Sequence, residues 1–374
     1  MTARIPLFSL PPNVAETLLK DLNFGDLFEL SQLSKKAFDL VRNTVRLYKG
    51  NVSLDIRLYS SKYVALMWKT GRCVLWSFYG KRDFERYDLE NFEQRVVKID
   101  SGSGASSYLT FAQNLEGDYG CASDSIEDVF LLIQYLAELF NANMKQLVVG
   151  GSQIPNLGPI QSLPLLRKSK RVALAKGTVS HEDMRRFLEG FECDVMQVQC
   201  SPERNSGYDF HSFIGEIEIT NGEWFKGAML SELNCHHFFL KSCTLTDEDI
   251  NTFINQWVAG TNKKTPRTIL LLQYHPNHES FGVYRENRKQ QWNLDKIFHD
   301  LSITQQPTPS RPATINTTVH REIDDQKLNI ALFRFSNLPD PALLIQSDFN
   351  PVDNTICPLV YFSRPFRRRA LERL

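Results

Sequence analysis

The sequence has no surplus of either charge sign, no long apolar run and no ordered cysteine framework, and each absence removes a class of function. Forty-three Lys and Arg balance 43 Asp and Glu. A general nucleic-acid binder needs a basic excess to displace counterions from phosphates, so no nucleic-acid partner is expected. No run approaches the ~20 apolar residues that cross a bilayer. The first residues also lack the basic, apolar and small-residue order of a signal peptide. The expectation is a soluble intracellular protein, cytoplasmic or nuclear, with no membrane partner. The seven cysteines, Cys73, Cys121, Cys193, Cys200, Cys235, Cys243 and Cys357, are scattered and odd in number, as reduced thiols are.

Catalytic signatures are equally sparse. There is no Walker-type phosphate loop, no His-Glu-x-x-His zinc helix and no Gly-x-Ser-x-Gly elbow. The run "NCHHFFLKSC" offers Cys235, His236, His237 and Cys243. On a strand, however, neighbouring residues point to opposite faces, so Cys235 and His237 project away from His236 and four ligands do not converge. "CSPERNSGYDFHS" places Cys200 near His211. A nucleophilic pair would also need an orienting carboxylate, and a chance Cys/His proximity is far commoner. The sequence therefore predicts no catalysis, no metal and no cofactor.

What the chain does have begins at residue 10. "LPPNVAETLLKDLNFGDLFELSQLSKKAFDLV" reads as three short helices. Pro11 and Pro12 suit a first helical position, and Val14, Leu18 and Leu22 recur along one face. Asp26 and Glu29 have capping-box spacing, so a second helix is expected to start there and carry Leu27, Leu30 and Leu33 inward. Ser34 can cap a third, with Ala37, Phe38, Leu40 and Val41 inward and Lys35 and Lys36 in water. Helices this short are marginal alone, and units below ~40 residues usually need a metal, disulfides or a partner. Leu19, Phe24 and Phe28 lie off the main stripes, which implies either a docking surface or packing against the domain that follows.

This stretch resembles an F-box. Leu10, Pro11, Val14, Leu18, Leu19, Leu22, Leu27, Leu30, Leu33, Ser34, Lys35 and Leu40 follow its order without insertion. The sequence departs at Ala37, where many members carry Trp, and at Gly25, where Pro is common. The wider chain is similar to the lineage-expanded invertebrate F-box families with a type 2 F-box-associated region. The resemblance implies a Skp-type adaptor as partner and, through it, cullin and RING subunits, with the chain acting as a non-catalytic substrate receptor of a ubiquitin ligase. Its substrate would be a protein of unknown identity. The alternative is a non-degradative adaptor-bound scaffold or a plain interaction repeat. The apolar residues that three small helices cannot all cover, Leu10, Pro11, Leu19, Leu22, Phe28 and Leu30, are the expected adaptor contacts.

After residue 48 the periodicity changes to two. "NVSLDIRLYS", "KYVALMWKT", "CVLWSFYG" and "QRVVKID" predict an antiparallel meander that ends before a Gly/Ser loop from Ser101. Trp68 and Trp76 read as core aromatics, with a binding platform as the alternative. From Ser123, "SDSIEDVFLLIQYLAELF" is a capped amphipathic helix. Strand-like segments then recur, with Val148, Leu174, Val198, Ile219 and Leu240 spaced within the leucine-rich-repeat range. "FFLKSCTLTDEDINTFI" fits one such unit, through Phe238, Leu240, Cys243 and Leu245 and then a helix with Ile250, Phe253, Ile254 and Trp257.

The expected fold is thus α+β with α/β character. A three-helix F-box over 1–48 is followed by an antiparallel β meander over 49–122. The remainder, 123–374, is read as an irregular leucine-rich-repeat-like α/β layer, the F-box-associated interaction domain, ending in a hairpin formed by "ATINTTVHREI" and "KLNIALFRF". "QWNLDKIFHDL" can form a helix, and the terminal "RPFRRRALERL" reads as a solvated basic end. Alternation puts Gln197, Gln199, Glu216, Glu218, His237, Phe239 and Lys241 on the outward strand face, where a substrate would bind.

Overall fold

A computed structural model gives the fold and describes residues 10–334 except 60–61, 69–70, 87–92, 101–105, 114–116, 151–156, 176, 204–207, 209–213, 262–265, 274–291, 300–302, 306–313 and 322–325. His211, Cys357, the "YHPNHES" stretch and the basic C-terminal run lie outside the described residues.

Three helices come first: α1 (Pro12–Asp21), α2 (Phe24–Ser31) and α3 (Lys35–Tyr48). Helix α2 starts three residues earlier than a capping box at Asp26 and Glu29 would place it, because Asn23 is the better cap. Its side-chain oxygen accepts a hydrogen bond from the Asp26 backbone N–H at 2.8 Å, which puts Asp26 inside the first turn. Ser34 caps α3 as expected, accepting from the Ala37 N–H at 3.1 Å. The inward faces differ from the leucine spacing. Ala15 and Leu19 are buried on α1, while Val14 and Leu18 face outward. On α2, Leu27 is buried, Leu30 is half-buried and Leu33, just past the helix, is 73% exposed.

The chain then builds β1 (Val52–Leu58), β2 (Lys62–Trp68) and β3 (Gly71–Tyr79) as an antiparallel meander, followed by the short helix α4 (Lys81–Arg86). Strands β4 (Glu93–Asp100), β5 (Ser106–Gln113) and β6 (Tyr119–Ala122) extend the sheet. The sheet therefore continues past Ser101. Strand β6 joins it parallel to β3, so the antiparallel meander proper is β1–β3, and β4, expected as a further strand of it, pairs with β5 at the sheet edge. Leu109 and Phe111 alternate inward, and β5 pairs with β4 along its whole length, so tertiary pairing overrides the Gly/Ser composition just before it.

Helix α5 (Ile126–Phe140) is capped by Ser125 and leads to β7 (Asn143–Gly150). The turns α6 (Gly158–Gln161) and α7 (Pro164–Arg167) lead to β8 (Arg171–Ala175), then β9 (Thr178–Val179), α8 (His181–Gly190), β10 (Val195–Val198), β11 (Ser201–Pro202) and β12 (Ile214–Ile219). Next come β13 (Cys235–Lys241), α9 (Asp247–Val258), β14 (Thr268–Gln273), the four-residue α10 (Leu294–Ile297), β15 (Ile303–Gln305), β16 (Thr314–Arg321) and β17 (Gln326–Arg334). Strands β16 and β17 form the expected antiparallel hairpin. Of "QWNLDKIFHDL", only α10 is helical among the described residues.

All strands except β9 and β11 share one mixed sheet in the order β15-β16-β17-β14-β13-β12-β10-β8-β7-β1-β2-β3-β6-β5-β4. Strand β1 pairs antiparallel with β2 and parallel with β7, so the sheet runs without a break across the boundary expected at residue 122. From β7 to β14 every neighbouring pair is parallel. Rows of apolar residues cross this region in register: Leu147, Val172, Met196, Ile217 and Phe238 in one, and Val149, Leu174, Val198, Ile219 and Leu240 in the next. These rows join residues of α1, α2, α3, α5, α8 and α9 in a single buried cluster. The expected repeat position on β7 is off by one, since Val148 points to the opposite face and Val149 takes the core place.

Candidate functional site

Two surfaces are candidates, and both differ from the sequence expectation in which side chains are free. On the N-terminal helices, Leu19 and Phe28 are fully buried, Leu10, Leu22 and Leu30 are half-buried, and Pro11 is exposed. Phe28 sits among four rings, with centroids 5.2 Å from Trp76, 5.4 Å from Tyr119, 5.7 Å from Phe111 and 6.0 Å from Tyr135, all edge-on. Trp76 is thereby a core residue. Trp68 is half-buried and donates its indole N–H to the Lys49 carbonyl at 2.7 Å. Sheet rings therefore cover Phe24 and Phe28, and Leu19 is buried in the same core cluster. The outward apolar residues are instead Val14, Leu18, Leu33, Leu47 and Tyr48, with Lys20, Lys35, Lys36 and Arg46 also exposed.

The second surface is the strand face opposite the buried rows. Gln197 on β10, Glu218 on β12 and Phe239 on β13 are register partners on three adjacent parallel strands. Gln197 donates its side-chain N–H to Glu218 Oε2 at 2.7 Å, and Lys241 Nζ reaches Glu218 Oε1 at 2.7 Å. The Glu218 side chain is only 2% exposed. Gln197 and Glu218 thus do not stand in solvent as alternation predicts. A carboxylate taken out of water is stable only when its oxygens are paired, and these two residues are used in that pairing. Gln199, Glu216, His237, Phe239 and Lys241 are half-buried on the same face.

Burial holds the Glu216 carboxyl above its ordinary value; nearby Arg171 opposes this shift and Glu218 adds to it. Burial also lowers His237, helped by the positive charge of Arg267 and by neighbouring His236. The Nδ1 atom of His237 is buried without a hydrogen-bond partner among the described residues. Toward β1 the face becomes apolar: Val148, Ala173 and Ala175 form a small buried cluster with Tyr59 against it. Gly150 permits this approach, because a Cβ there would lie 2.2 Å from the Tyr59 Cβ. Sequence reasoning missed this patch, although the run of small residues in "KQLVVGG" and "RVALAKG" was its signal.

Cys235 and Cys243 are both buried. Burial pushes the Cys243 thiol up to about 11 and Cys200 up to about 12, and raises Cys235 further in the same direction. Thiols held this far above neutrality carry little thiolate. Among the described residues, no group of three or more His, Cys, Asp or Glu side chains is placed to hold a metal.

Fold and surfaces together define an α+β protein in which a small helical unit packs on one mixed sheet whose central strands are parallel. Residues 209–266 match the model of a family described as F-box associated. The match covers β12, β13 and α9, the part of the chain that carries Glu216, Glu218, His237, Phe239 and Lys241. No curated protein and no solved structure matches the chain.

Proposed function

We propose that this chain is the substrate-recognition subunit of a Skp-cullin-F-box ubiquitin ligase, with the N-terminal helices taking the Skp-type adaptor and the strand layer taking a protein substrate. The observation that carries the reading is the F-box-associated match at residues 209–266, downstream of three short helices with outward apolar side chains. The chain itself performs no chemistry in this reading. It works by proximity: tethering raises the effective concentration of substrate lysines at an active site on another subunit. The adaptor contacts are Pro11, Leu18 and Leu33, which are exposed, together with the half-buried Leu10, Leu22 and Leu30.

The test is co-purification of the full chain with a Skp-type adaptor. The double variant Leu18→Asp, Leu33→Asp places charge on two exposed apolar positions, so it should abolish adaptor capture while leaving the thermal midpoint unchanged. Undiminished capture by that variant would remove these residues from the interface. Failure of the unmodified chain to capture any adaptor would overturn the reading as a whole.

A further inference from the structure

The helical unit is joined to the sheet and to α5 by polar contacts as well as by the aromatic cage. The Tyr119 hydroxyl on β6 donates to Glu29 Oε1 at 3.0 Å and lies 3.3 Å from the Gly25 carbonyl, both on α2. Glu29 also pairs with Arg95 on β4. The hydroxyls of Ser31 and Tyr135 are 2.7 Å apart, tying α2 to α5. At the far end of α3, the Lys49 ammonium lies 5.3 Å from the rings of both Phe24 and Trp68. The apolar residues left in solvent, Val14, Leu18, Leu33, Leu47 and Tyr48, take no part in these joints.

We propose that the sheet edge is a built-in clamp: α2 and α3 present their outward face only while β1–β6 and α5 are folded against them, so that these elements open and close as one body. The physical reason is the size of the helical unit. Three helices this short bury too little among themselves to hold together, and their largest buried side chain, Phe28, is enclosed by rings of the sheet and of α5. A partner captured by the helices would then report an intact sheet. This concerns how the helices are held and stands whatever partner they bind.

Native-state hydrogen exchange on the full chain, without any partner, tests it. Amides in α2 and the centre of α3 should share one opening equilibrium with those of β1–β3. The variant Tyr119→Phe keeps the ring and removes the hydroxyl bonds. It should reduce protection about five- to tenfold in both regions, in step. Helical amides that exchange well ahead of the strands in the unmodified chain would overturn the clamp, as would loss in the helices alone in the variant. Unchanged protection in both regions of Tyr119→Phe, repeated with Arg95→Gln, would show that the joint contributes nothing and would overturn it as well.

Discussion

Replacing Phe28 with alanine should unfold much of what the chain has to spare. The side chain is fully buried and meets four aromatic rings at centroid distances between 5.2 and 6.0 Å. Deleting a buried Phe costs ~3–5 kcal/mol, through lost transfer free energy and the cavity left behind. Edge-on ring pairs contribute ~0.5–1.5 kcal/mol each beyond their area, which places this site in the upper half of that range. Domains are stable by only ~5–15 kcal/mol, so the loss is a large share of the total. With a urea slope of ~3 kcal/mol/M, the denaturation midpoint should fall by ~1.3–1.7 M. The matched control is Leu33→Ala, at an exposed apolar position on the same helical unit, which should stay within ~0.5 kcal/mol of the unmodified chain. A midpoint change below ~0.3 M for Phe28→Ala would refute the claim that the aromatic cage supports the helices.

The strand face makes two opposite pH predictions. Glu216 has a raised folded pKa, so its favourable contribution is complete below the ordinary carboxylate value and is lost as pH rises through the folded value. Glu216→Gln should therefore raise the melting temperature at pH 7 and change it little near pH 4. His237 has a lowered folded pKa, so the stability it confers is present above its ordinary value of ~6.5 and is lost as pH falls through the folded value. His237→Asn should flatten the fall in stability between about pH 7 and pH 5, and a slope equal to that of the unmodified chain would exclude this residue. Gly222→Ala should destabilise by ~1–3 kcal/mol, since its Cβ would lie 2.6 Å from the Lys241 backbone oxygen, and the denaturation midpoint reads it directly. Cys200, Cys235 and Cys243 should resist alkylation in the folded chain at pH 8 and react only after denaturation, so rapid labelling of any of them would contradict their burial.

Element type was largely legible in the sequence. Alternation in "NVSLDIRLYS" and "DVMQVQC" specified strands, and the structure forms β1 and β10 there, with Met196 and Val198 buried opposite the outward-read glutamines. The Ile250, Phe253, Ile254 and Trp257 stripe specified α9, which the structure caps with Thr246, and Ser34 specified the start of α3. These signals are local, because backbone periodicity and end-capping depend on residues within a few positions of one another.

Tertiary structure decided which face of a locally specified element is covered. On α1 the leucine spacing favours Val14 and Leu18, yet Ala15 and Leu19 are the buried residues, on a helix that packs against α3. Nothing within a short helix identifies which of two apolar faces meets a neighbour brought close from far along the chain. Phe28 meets Tyr135 and Ser31 meets the same tyrosine only because α5, far along the chain, packs against the helical unit. Glu218 was legible as an outward position, whereas its burial depends on Gln197 and Lys241 arriving on adjacent parallel strands. Composition and period fix the elements through short-range sterics and hydrogen bonding; exposure and pairing are set by contacts between distant segments, which the packing of the whole sheet brings together.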